Sequence, residues 1–118
     1  MADATDGTVL DRLFAVIESR RSADAGTSYT ARLLAEGRPK IARKVGEEAV
    51  EVVVASLSPG EGGDDGARDR LAEESADLLY HLLVLWASAG LHPEQVWQML
   101  ARREGTSGLA EKAARRER

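Results

Sequence analysis

The sequence predicts an all-α fold, a bundle of about five helices completed by dimerisation. Two observations carry this. Aromatic residues are only 4% of the chain while hydrophobic residues are 43%. The core therefore rests on Leu, Val and Ala, which suit helices packed on helices better than a sandwich or barrel. Apolar residues also recur at helical spacing along most of the chain. The β-branched run Val50 to Val54 sits inside such a helical frame, although a short valine cluster by itself also suits a strand.

The first helix is expected over roughly Val9 to Arg20, where Val9, Leu10, Leu13, Phe14, Val16 and Ile17 share a face. "SADAGTS" breaks the pattern with Gly26 and small polar residues. A short second helix follows over Tyr29 to Ala35, with Ser28 as its N-cap and Gly37 as its stop. The third begins near Pro39, which a first turn tolerates, and runs to about Leu57. "SPGEGGDDGARD", residues 58–69, reads as the clearest loop, rich in Gly, Pro and Asp. The fourth helix is expected from about Ala67 to Ala89, closing on Gly90, and the fifth from His92-Pro93 to about Arg103. The polar tail 105–118 reads as a loop plus a weak last helix, and residues 1–7 as a segment without fixed structure.

At 118 residues the expectation is one domain, residues 1–118. With no cysteine, disulfides and thiolate metal sites are excluded. No signal-peptide pattern is visible at the N-terminus. The longest apolar stretch, "LLYHLLVLWASAG", is too short to span a bilayer. A net charge of −4 offers no basic field for nucleic acid. The expectation is a cytoplasmic protein acting on a small molecule, with neither a membrane nor a nucleic acid as partner.

The stretch "KVGEEAVEVVVASL", residues 44–57, crowds Glu47, Glu48 and Glu51 together ahead of an apolar run. On a helix these three share a side, and Lys40 and Lys44 join it. Val45, Val52, Val53 and Leu57 lie mostly elsewhere. The fourth helix repeats the pattern: Glu74, Asp77 and His81 fall on one stripe amid leucines. Carboxylates in so apolar a helix are costly unless compensated. If the two helices pack as antiparallel neighbours with these stripes inward, Glu48, Glu51, Glu74 and Asp77 converge. Four converging carboxylates raise one another's pKa, and a hard divalent cation, Mg²⁺ or Mn²⁺, relieves them. Against this stands a plainer reading. The acidic stripes are solvated surface, Lys44 pairs with Glu47 and Glu48 along its own helix, and His81 is a core histidine with a satisfied ring nitrogen. Trp86 and Trp97 read as packing anchors.

"EExxE" at 47–51 and "ExxD" at 74–77 together resemble the signature of the all-α nucleoside-triphosphate pyrophosphatase (MazG-like) superfamily. The stretches "SYTARLLAEGRPKIARKVGEEAVEVVVAS", "EESADLLYHLLVLWASAGL" and "RREGTSGLAEKAARR" are similar to the phosphoribosyl-ATP pyrophosphatase family. The similarity covers about Leu10 to Arg116. "MADATDG" matches nothing in it, and the loop at 58–69 is richer in Gly and Asp than the family pattern.

The resemblance implies Mg²⁺-dependent hydrolysis of phosphoribosyl-ATP to phosphoribosyl-AMP and pyrophosphate, the second step of histidine biosynthesis, by the stand-alone form of the enzyme. It places metal ligands at Glu48, Glu51, Glu74 and Asp77. Glu47 matches the motif's first glutamate and, with Glu48, is a candidate catalytic carboxylate. Lys40 and Lys44 are candidate phosphate contacts. So are Arg103 and Lys112, in a tail where Arg102, Ser107 and Gly108 also belong to a turn able to close over phosphates. Wide apolar surface on the first, third and fourth helices, together with the resemblance, points to a homodimer or higher homo-oligomer. Three rivals remain: a related pyrophosphohydrolase acting on another nucleotide, a non-catalytic helical dimer, and a subunit that binds nucleotide without turnover.

Overall fold

In the computed structural model, residues 4–57 and 63–117 are described, and among them the regular structure is entirely helical. Six helices follow in order: α1 (Val9–Ser19), α2 (Tyr29–Glu36), α3 (Arg38–Leu57), α4 (Gly63–Ala89), α5 (Pro93–Arg103) and α6 (Gly108–Glu117). The valine run lies within α3 as helix.

Local chemistry sets the helix ends. The Ser28 hydroxyl accepts the Ala31 amide at 3.1 Å, capping α2. Gly37, at φ 97°, ends α2, and α3 begins at the next residue. Only glycine adopts that backbone without strain, so the chain folds back sharply there. Gly90, at φ 72°, closes α4. His92 and Gln95 cap α5 reciprocally, with the His92 amide donating to Gln95 Oε1 at 3.0 Å.

α4 starts at Gly63, four residues before the expected Ala67. The loop expected over 58–69 is thus helical from 63, while residues 58–62 lie outside those described. Asp64 and Asp65 occupy the first turn, where carboxylates offset the helix dipole. Arg68 pairs with Asp65 at 3.1 Å one turn on. These local terms outweigh the glycines that read as loop. The tail is likewise a formed helix: the Ser107 hydroxyl accepts the Ala110 amide at 3.1 Å at the start of α6. Residues 1–3 lie outside those described; Asp6 accepts the Thr8 amide at 2.9 Å ahead of α1.

The dominant pairing is α3 along α4, with α1 and α2 also against α4 and α2 against α3. Phe14 and Ile17 of α1, Leu33 of α2, Ile41 of α3, and Leu83, Val84 and Ala87 of α4 form the buried core. The Arg38 guanidinium donates to the Ser88 carbonyl at 3.1 Å, tying the start of α3 to the end of α4. The two helices are therefore antiparallel neighbours. α5 docks through Trp97, whose indole N–H donates to Asp11 at 2.9 Å and whose ring meets Trp86 edge-on at 5.9 Å. Both tryptophans act as packing anchors. Among the described residues, no helix is long and apolar enough to cross a membrane.

Candidate active site

The antiparallel pairing of α3 and α4 sets Glu48 opposite Glu74 and Asp77. One carboxylate oxygen from each lies within 4.8 Å of the others. Glu48, its side chain 15% exposed, and Glu74 are half-buried, and Asp77 is exposed. Desolvation raises the Glu74 pKa above the ordinary carboxylate value, and the charges of Glu51, Asp77, Glu48 and Glu73 push it further. Three carboxylate oxygens at this spacing, one on each of three side chains from two helices, fit a hard divalent ion such as Mg²⁺ or Mn²⁺.

Glu51 stands outside the 4.8 Å group, yet it exerts the largest charge effect on Glu74. Glu47 turns the other way, exposed, beside Lys44. The Lys44 ammonium bridges the two directions, 3.4 Å from Glu47 and 3.6 Å from Glu48. These are the intrahelical pairs of the plainer reading, here at the edge of the carboxylate cluster. Desolvation lowers the Lys44 pKa, but Tyr29, Glu47 and Glu48 outweigh it and hold the group above its usual value. Lys40 pairs at 3.9 Å with Glu36 across the α2–α3 turn.

A cavity of about 510 Å³ opens between α2 and α3 on the Lys44 side of the cluster. Four cations line it, Arg32, Lys40, Arg43 and Lys44, with Tyr29 at one end. The α2 and α3 residues recur at i, i+3, i+4 and i+7, so each helix gives the cavity one face. That spacing was the available signal for Tyr29, Arg32 and Arg43, none of which the sequence reading singled out for function.

His81 is buried and both its nitrogens are engaged. Nδ1 lies 2.7 Å from the Asp77 carbonyl and Nε2 3.1 Å from the Tyr29 hydroxyl. It is a satisfied core histidine, and it also anchors the cavity wall to the helix that carries Asp77. Arg103 ends α5, exposed. Lys112 lies on α6 beside Arg115 and Arg116 around a separate basic cavity of about 500 Å³. Neither lines the cavity beside the carboxylates.

Residues 10–104 match the family model described as phosphoribosyl-ATP pyrophosphohydrolase. The chain belongs to this family. It is 57% identical over 114 residues to the phosphoribosyl-ATP pyrophosphatase of Azospirillum brasilense, covering 97% of this chain and 96% of that one. The protein of that name from Paramagnetospirillum magneticum is 56% identical over 112 residues, 95% and 96% of the two chains. The one from Parvibaculum lavamentivorans is 57% identical over 115 residues, 98% and 99%. The family match spans α1 to α5, and so includes both carboxylate helices and the cationic cavity.

Proposed function

We infer that this chain hydrolyses phosphoribosyl-ATP to phosphoribosyl-AMP and pyrophosphate, the second step of histidine biosynthesis, in the cytoplasm. Family membership supplies the substrate. The observation that carries the chemistry is the approach of Glu48, Glu74 and Asp77 within 4.8 Å across two helices.

Glu48, Glu74 and Asp77 would hold Mg²⁺, or Mn²⁺ in its place, and Glu51 would be a further ligand from the adjoining turn. Bound there, such an ion would supply charge neutralisation of the triphosphate and of the charge developing at the transferring phosphorus. Lys44 faces the phosphates from the cavity side while keeping Glu48 oriented, and Lys40 contributes from deeper in the cavity. Glu47, exposed beside Lys44, orients the attacking water, and a carboxylate of the Glu47–Glu48 pair takes its proton. Water attacks the α-phosphorus and pyrophosphate leaves; attack at the β-phosphorus would give the same products and differ only in which one carries the water's oxygen. Arg103 and Lys112 close over the phosphates from the tail, supported by the cationic face of α6.

The active form is a homodimer or larger assembly. Supporting this, Val50, Val53, Val54 and Leu57 form an exposed apolar stripe along α3. The decisive assay is pyrophosphate release from phosphoribosyl-ATP with and without Mg²⁺, against ATP as control. Mg²⁺-dependent release that favours phosphoribosyl-ATP supports the reading. Preference for another nucleoside triphosphate replaces it with a related pyrophosphohydrolase. Hydrolysis in ¹⁸O-water should label phosphoribosyl-AMP; label in pyrophosphate overturns attack at the α-phosphorus.

A further inference from the structure

The charges of the α2–α3 cavity do not balance. Its two carboxylates are already engaged, Glu36 with Lys40 at 3.9 Å and Glu47 with Lys44 at 3.4 Å. Arg32 and Arg43 remain. Among the described residues neither has a carboxylate within 4.0 Å. Both are exposed and both line the cavity. The Arg32 guanidinium stands 5.5 Å from the centroid of the Tyr29 ring, which holds it by a cation–π contact. Tyr29 in turn is tied to buried His81. One of the two arginines is therefore positioned before any ligand arrives.

Their place along α3 is informative. Lys44 touches Glu48, so the end of the cavity beside the carboxylates meets the triphosphate. Arg43 precedes Glu48 by five positions and Lys40 by eight, about 7 to 12 Å back along the helix axis. With Lys44 at the triphosphate end, Arg43, and Arg32 on the facing helix, are cations left over for a further anionic group. Phosphoribosyl-ATP differs from ATP by one more phosphate, carried on a ribose beyond the nucleoside.

We propose that Arg32 and Arg43 form a second anion subsite that holds the phosphoribosyl phosphate and so separates phosphoribosyl-ATP from ATP. This rests on the substrate assigned above. Paired guanidinium forks suit a terminal phosphate better than ammonium groups do, because each can donate two hydrogen bonds at once. A cavity of this size has room for the ribose phosphate.

The test compares wild type, Arg32→Gln and Arg43→Gln with phosphoribosyl-ATP and with ATP, together with inhibition by phosphoribosyl-AMP and by AMP. Each variant should lose its preference for phosphoribosyl-ATP over ATP by about tenfold or more, the worth of one charge-assisted hydrogen bond. The loss should appear in KM rather than kcat. The tighter inhibition by phosphoribosyl-AMP than by AMP should shrink in parallel, a binding readout that needs no turnover. Equal losses on both substrates would make the arginines triphosphate contacts and overturn the proposal. Variants indistinguishable from wild type would make them solvated surface and overturn it too. A wild-type chain that releases no pyrophosphate from phosphoribosyl-ATP is a different failure, since it removes the substrate assignment itself.

Discussion

His81 Nε2 lies 3.1 Å from the Tyr29 hydroxyl, joining the first residue of α2 to the middle of α4. The opposite ring nitrogen meets the Asp77 carbonyl, which can only accept, so Nδ1 carries a proton. In the neutral ring Nε2 then accepts the tyrosine O–H. Tyr29→Phe keeps the ring beneath Arg32 but leaves a buried nitrogen without its partner. The expected cost is about 1–3 kcal/mol of stability, read from urea unfolding. A loss well under that range would mean water reaches the ring.

Gly37 sets the angle between α2 and α3, and hence the shape of the cavity. A Cβ there would meet nothing closer than Pro39 Cδ at 3.9 Å. The backbone, at φ 97° and ψ 169°, is nonetheless a region that residues with a Cβ avoid. Gly37→Ala should therefore destabilise by about 1–3 kcal/mol through strain alone. Thermal melting of the variant checks this.

Glu74 makes a pH dependence. In the metal-free chain its pKa is raised by desolvation and then by Glu51, Asp77, Glu48 and Glu73. A raised carboxyl pKa means that folding favours the protonated form. Its contribution to stability is full below the unfolded carboxylate value and is lost as pH rises through the raised folded value. The Tm of the metal-free protein should thus fall as pH climbs through and just above the carboxylate range. Glu74→Gln should flatten that fall and raise Tm at neutral pH. Mg²⁺ should raise the wild-type Tm by mass action, and the variant's by less.

Much of this was legible in the sequence. The acidic pairs at helical spacing placed Glu48, Glu74 and Asp77 on facing stripes, because helix periodicity fixes which side chains share a side. The ends at Ser28, Gly37, Gly90 and Pro93 followed from cap chemistry. The start of α4 did not. Its glycines read as loop, and the placement of Asp64 and Asp65 in a first turn, with Arg68 paired to Asp65, explains helix there. The cationic cavity was half visible: Lys40 and Lys44 stood out beside the glutamates. Arg43 shares their helical spacing on α3, whereas Arg32 could join them only once the turn at Gly37 brought two helices face to face. Glu47 and Glu51 show the resolution of periodicity. They flank Glu48 in sequence, yet one turns to the cavity and the other stands beside the cluster.

On catalysis, Glu48→Gln should lower kcat by about 10² or more, since it removes one carboxylate from the cluster and the partner of Lys44 together. Steady-state kinetics at saturating Mg²⁺ test this. A variant of near wild-type kcat would move the chemistry elsewhere.

The most direct test of the carboxylate cluster is Mn²⁺ binding followed by electron paramagnetic resonance, on wild type and on Glu48→Gln, Glu74→Gln and Asp77→Asn. Saturable binding in the wild type, weakened at least about tenfold by each substitution, is the expected result. Equal Mn²⁺ affinity in all four proteins would contradict a shared ion between α3 and α4.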